Sequence, residues 1–205
     1  MDITTQMSQK IFYEEESNKS LEGKLLVASP HLDDPYFGKA LIYVCAHDAS
    51  GAIGVVINQR IGMISYNDFM FNNERSKISS TMKQKKFPLM FGGPVNTDIL
   101  IALSLKNKDS NTSLQNSDIA VQTDINKFFK DLIKKNKATK FLLVKGVSVW
   151  DKQQLEEEIE ENTWFVTDAT PDMIFSQKPK DKWAFNMKKL GIINHYELVH
   201  YSGNG

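Results

Sequence analysis

Ala40-Leu41-Ile42-Tyr43-Val44-Cys45-Ala46-His47, the link Asp48-Ala49-Ser50-Gly51, and Ala52-Ile53-Gly54-Val55-Val56-Ile57-Asn58 form the stretch on which the fold turns. Both arms are rich in β-branched and aromatic residues, and the four-residue link places Asp and Gly where a tight reversal needs them. The segment therefore reads as a β-hairpin, which commits the chain to a sheet.

Working outward, residues 25–28 give a first strand that closes at Pro30, because the residue before a proline favours extended backbone. Further extended segments are expected at 89–91, 99–105, 118–121, 141–146, 164–167 and 196–201. Three helices are legible. Asp124 is placed to cap a helix whose Ile125, Phe128, Phe129, Leu132 and Ile133 recur at helical spacing, with lysines near its negative C-terminal end. Asp151 and Gln154 have the spacing of a capping box, opening a helix that turns Leu155 and Ile159 inward. Pro179 starts the third, with Trp183, Met187 and Leu190 on one face and Gly191 at its end. Residues 72–86 and 106–117 read as loops. Residues 1–20, polar and aperiodic, are expected to form a flexible extension before a single domain over 21–205.

Composition narrows the function classes. The 205 residues carry 25 basic and 25 acidic side chains, so neither a polyanion-coating protein nor an acidic tail is indicated. Neutrality hides an uneven distribution: 14 basic residues face 7 acidic ones between positions 61 and 145. A single Cys excludes an intramolecular disulfide and an all-cysteine metal cage, and suits a reducing compartment. No basic start followed by an apolar stretch marks a secretory signal, and no apolar run reaches the roughly 18 residues of a membrane helix. The expected location is the cytoplasm, without a membrane partner.

Few residues point to chemistry. Cys45 shares one strand face with Tyr43 and His47, so a thiol-dependent redox role is conceivable, against the commoner fate of a buried, inert cysteine. His31, His47, His195 and His200 have no zinc-ligand spacing, so no metal site is expected. Asp33-Asp34 before Pro35 is explained by a turn. Gly92-Gly93-Pro94 lacks the Gly-Lys-Ser/Thr ending of a phosphate loop and reads as a tight backbone passage. No nucleophile elbow is present. The loop lysines can neutralise phosphates, yet few aromatics interleave with them and no nucleic-acid-binding signature accompanies them.

Several segments together resemble the AlgH/YqgE family of bacterial proteins of unknown function. They are Leu26-Val27-Ala28-Ser29-Pro30 with Asp34-Pro35-Tyr36-Phe37, Gly51-Ala52-Ile53-Gly54-Val55-Val56-Ile57-Asn58, and Phe91-Gly92-Gly93-Pro94-Val95. Gly146 with Trp150, Gln154-Leu155-Glu156-Glu157-Glu158-Ile159, Asn162, Trp164, Ile174-Phe175, Trp183 and Leu190-Gly191 follow in consistent order over roughly residues 23–193. The resemblance implies an α+β fold, with a mainly antiparallel sheet bent into a partial barrel and flanked by helices. It departs from the family at Ala46, at Ala102-Leu103 and across Gly146-Val147-Ser148-Val149-Trp150, where the family usually carries an acidic residue, Leu-His and Gly-Tyr-Ala-Gly-Trp. One branch of the family bears the label of transcriptional regulator.

The functional expectation is a non-enzymatic binding or regulatory domain with no cofactor, acting on an unidentified protein or small molecule. Asn58, Gly92, Gly93 and Trp150 are its candidate contact surface, since turn-associated polar and aromatic residues carry function more often than strand interiors. The alternatives are a redox protein using Cys45 and a nucleic-acid-binding regulator using the loop lysines.

Overall fold

The computed structural model describes residues 20–69, 85–106, 118–135 and 140–192. The expectations for residues 1–19, for the loops over 72–84 and 107–117 and for a strand at 196–201 lie outside the described residues.

The hairpin is present as β2 (Leu41–Asp48) and β3 (Gly51–Val56), and it is tighter than the sequence suggested. Asp48 and Gly51 are paired across the ladder, which leaves only Ala49 and Ser50 in the turn. The Asp48 carboxylate holds the turn by accepting from the Ser50 N–H at 2.8 Å and from its hydroxyl, and these bonds hold its carboxyl below the usual carboxylate range. A bulge at Cys45 shifts the register between Val44 and Ala46.

Around the hairpin run β1 (Lys24–Ala28), β4 (Arg60–Ser65), β5 (Lys86–Phe91), β6 (Val95–Leu105), β7 (Ile119–Gln122), β8 (Phe141–Trp150) and β9 (Trp164–Asp168). The main path is β4-β5-β8-β3-β2-β1-β9, with β6 pairing both β8 and β7. Every pairing is antiparallel except β5 with β8. The sheet does not close, in keeping with a partial barrel. The helices are α1 (Tyr66–Phe69), α2 (Ile125–Lys135), α3 (Gln154–Glu160), α4 (Pro171–Phe175) and α5 (Pro179–Lys189).

β8 organises the sheet. Its Leu143–Lys145 segment pairs with β5, its Ser148–Trp150 segment with β3, and β6 takes the other edge. The handover falls at Gly92, which donates to the Lys145 carbonyl and accepts from Val56 N–H and the Ser148 hydroxyl. A Cβ on Gly92 would lie 2.1 Å from the Gly146 carbonyl oxygen, and one on Gly93 would lie 2.2 Å from Val147 backbone. Only glycine allows this crossing.

Two apolar clusters flank the sheet. One joins β1, β2, β3 and the C-terminal half of β8 to α3, α4 and α5. The other packs Phe129 of α2 against Tyr66, Phe87, Ala102 and Leu143, with ring centroids of Phe87 and Phe129 5.1 Å apart. α2 starts as expected, with Asp124 accepting from Lys127 N–H at 2.9 Å. α3 differs: Gln154 accepts from Asp151 N–H, but Gln153 in a left-handed conformation (φ 65°) precedes the helix, and no side chain caps it. β4, α1 and α4 are elements the sequence reading did not anticipate.

Candidate functional site

The four residues singled out as a contact surface are strung along β3, with Trp150 opposite Ala52 at its start, Gly92 bonded to Val56 at its end and Asn58 beyond it, and each is already engaged. Gly92 and Gly93 are buried in the crossing just described. Asn58 accepts from Leu41 N–H at 2.8 Å and donates to the Lys39 carbonyl at 2.9 Å, tying off the base of the hairpin. Trp150 is buried, and its indole donates to Glu158 at 2.9 Å. The same carboxylate oxygen accepts from Trp164 at 2.6 Å, so one acid from α3 satisfies two core indoles. As placed, these residues hold the frame together.

Cys45 packs at the edge of the first cluster with its Sγ 3.7 Å from the Tyr43 carbonyl. Burial, assisted by the nearby negative charge of Glu22, pushes its thiol up to about 12. His47 does not pair with it. The Nδ1 of His47 accepts from Leu21 N–H at 2.9 Å and its Nε2 meets Glu156 at 2.9 Å, so the ring fastens the chain entering β1 to α3. Asp34 accepts from the N–H groups of Tyr36 and Phe37 at 2.8 and 2.7 Å, the turn role expected of it. Among the described residues no group of three or more His, Cys, Asp and Glu is placed to hold a metal ion.

A different location combines space with positive charge. A cavity of about 470 Å³ opens where the two apolar clusters meet. The sheet supplies one wall, through Phe87, Met90, Phe141 and Leu142, and the α4–α5 region supplies the other, through Phe175, Gln177 and Pro179. Arg60, Lys85, Lys140 and Lys182 also line it, and among the described residues no carboxylate does. Arg60, Lys85 and Lys140 are exposed around it, whereas Lys182 is 1% exposed.

Lys182 is the unusual member. Helix α5 buries Lys182, Trp183, Asn186 and Met187 as one stripe, which carries the lysine inward with its apolar neighbours. Its ammonium donates to the carbonyl of Ile57 at 3.3 Å and to that of Ile174. Ile174 lies in the last turn of α4, whose end carbonyls carry partial negative charge. Two carbonyl dipoles are the compensation it receives, and no carboxylate within ion-pair reach provides any among the described residues. Desolvation accordingly lowers this amine from its ordinary 10.5 to about 8. Asp172 is held below the usual carboxylate range chiefly by its hydrogen bond from Lys189 at 2.8 Å, with hydrogen bonding from Ser176 and, least, the charge of Lys140 adding to it. Chemically the cavity suits an anion: it offers one desolvated cation on its lining, three exposed cations around it, and apolar walls.

Comparison with known proteins places this architecture. Residues 25–195 match the AlgH-like (DUF179) family model. A UPF0301 protein of Photorhabdus laumondii is 33% identical over 189 residues, covering 90% of this chain and 99% of the relative. A UPF0301 protein of Rickettsia canadensis is 32% identical over 198 residues, covering 96% and 97%. Among solved structures, the AlgH protein of Pseudomonas aeruginosa superposes with a TM-score of 0.68 at 25% identity, covering 91% of this chain and 95% of its own.

Proposed function

The chain belongs to the AlgH-like family, and from that premise we propose that it is a non-enzymatic binding domain of the cytoplasm, with residues 21–205 acting as one unit and the cation-lined cavity as its recognition site. The ligand is an anion. The observation that carries this reading is Lys182, a buried ammonium with two carbonyl partners and, among the described residues, no counter-charge, at a cavity that also gathers Arg60, Lys85 and Lys140. Burying an uncompensated cation is costly, and a bound anion repays that cost only in the liganded protein. Because the walls come from the sheet and from α4–α5, an occupant touching both would fix one against the other, which is how binding becomes regulation. The lone thiol suits the reducing compartment assigned here.

The test is calorimetric titration with inorganic phosphate and a panel of small carboxylates and phosphates, comparing the natural chain with the Lys85→Gln/Lys140→Gln double variant. Binding is expected to weaken at least tenfold in the variant, to decline with added salt, and to decline again as pH rises through about 8. Equal affinity of both proteins for every anion, or no binding at all, overturns the reading.

The thiol-redox alternative meets the opposite environment, since a sulfur pushed up to about 12 is almost wholly protonated near neutral pH. Alkylation of the native protein at pH 8 is expected only after denaturant is added, as mass spectrometry of the modified peptide would show. Rapid labelling of the folded chain would restore the redox reading.

A further inference from the structure

The anionic reading leaves the apolar body of the cavity unexplained, and its aromatic content is specific. Two phenyl rings border the space from different walls: Phe141 from the first residue of β8, and Phe175 from the last residue of α4. Both are only partly buried, in contrast to Phe87, so each retains surface to give to a ligand, although the Phe141 ring also packs on Phe87, Phe128 and Phe129 with centroids 5.5, 5.3 and 6.0 Å away. Gln177 follows Phe175 on the same wall and brings one amide, able both to donate and to accept. The Lys85 ammonium lies 5.7 Å from the centroid of Phe87, which keeps that cation over the aromatic end of the cavity.

Charge and size restrict the occupant further. Four cations, with no lining carboxylate among the described residues, exceed what a single negative charge would balance. A free inorganic anion would leave most of about 470 Å³ unfilled and the two rings uncovered. A purely apolar molecule would bury the cations without compensation. We infer that the cavity takes a small phosphorylated ligand bearing a flat aromatic ring, the class to which nucleoside monophosphates belong, with the phosphate among Arg60, Lys85, Lys140 and Lys182 and the ring between Phe141 and Phe175. Stacking on such side chains tolerates any flat ring, and Gln177 is, among the described residues, the lining amide able to read a ring edge. The inference rests on the anion-binding function proposed above and adds the aromatic requirement.

Titrating the full chain with the four nucleoside 5′-monophosphates, phenyl phosphate, adenosine and inorganic phosphate separates the two claims. At least one aromatic phosphate is expected to bind about tenfold or more tighter than inorganic phosphate, and tighter than adenosine by a similar factor. Phe175→Leu and Phe141→Leu, conservative changes at partly buried positions, should each bring that ligand back towards the affinity of inorganic phosphate while leaving inorganic phosphate itself unaffected. Aromatic phosphates that bind no better than inorganic phosphate overturn the aromatic slot and leave the anion site standing. Adenosine binding as tightly as its monophosphate overturns the phosphate's part and leaves the aromatic slot standing, and no binding by any of the probes overturns both.

Discussion

Glu158 shows how much one side chain carries here. Its carboxylate accepts from Trp150, Trp164 and Gln154, and the two indoles meet edge to face with centroids 6.3 Å apart. Glu158→Leu would leave two indole N–H groups in the core without an acceptor, and about 2–4 kcal/mol of stability should be lost in urea titration. Lys182 behaves in reverse. Burial disfavours its charged form, so the folded protein releases this proton near pH 8 while the unfolded chain keeps it until about 10.5. Below pH 8 both states are protonated and the penalty is complete. Between those values the unfolded state binds more protons, and stability rises with pH. Lys182→Met is therefore expected to be about 2 kcal/mol more stable than the natural chain at neutral pH, with the advantage fading towards pH 10, while anion binding is lost.

At the scale of elements, α4 offers a direct test of local chemistry. Thr170 precedes Pro171 and its hydroxyl accepts from Met173 N–H, an arrangement that starts the helix whose far end receives the Lys182 ammonium. Thr170→Ala should cost about 1 kcal/mol in denaturant titration. Thr170-Pro171 was a readable helix start that the sequence reading passed over because five residues give no periodicity. β4 escaped for another reason: Ile61 and Met63 point to solvent and Gly62 interrupts the run, so its alternation is inverted. The hairpin, β1, β9, α2 and α5 were legible because their apolar faces and caps agree with their burial. The site was not legible. A lysine between Lys180 and Lys188 suggests a wet helix face, and only its membership of the stripe 182, 183, 186 and 187 signalled otherwise. Trp150 and the Gly92-Gly93 pair were visible as special, but sequence does not separate residues special for packing from those special for recognition.

Across the whole molecule, β8 contributes Leu143 to one apolar cluster and Val144, Val147 and Trp150 to the other. The two cores therefore share a member and are expected to unfold together. All three tryptophans lie in the first cluster, so intrinsic fluorescence reports that core, whereas far-ultraviolet dichroism reports both. Coincident urea transitions by the two probes are the expected result, and separated midpoints would mean that the α2 side melts independently. The shared strand also governs how the polypeptide may be divided. A piece ending ahead of Phe141 keeps seven of the nine strands among the described residues yet lacks the strand that joins the two cores, and a piece beginning there holds β8 without β3, β5 or β6, and β9 without its partner β1. Halves made separately would each be incomplete, so complementation after splitting would have to restore this strand to its three neighbours.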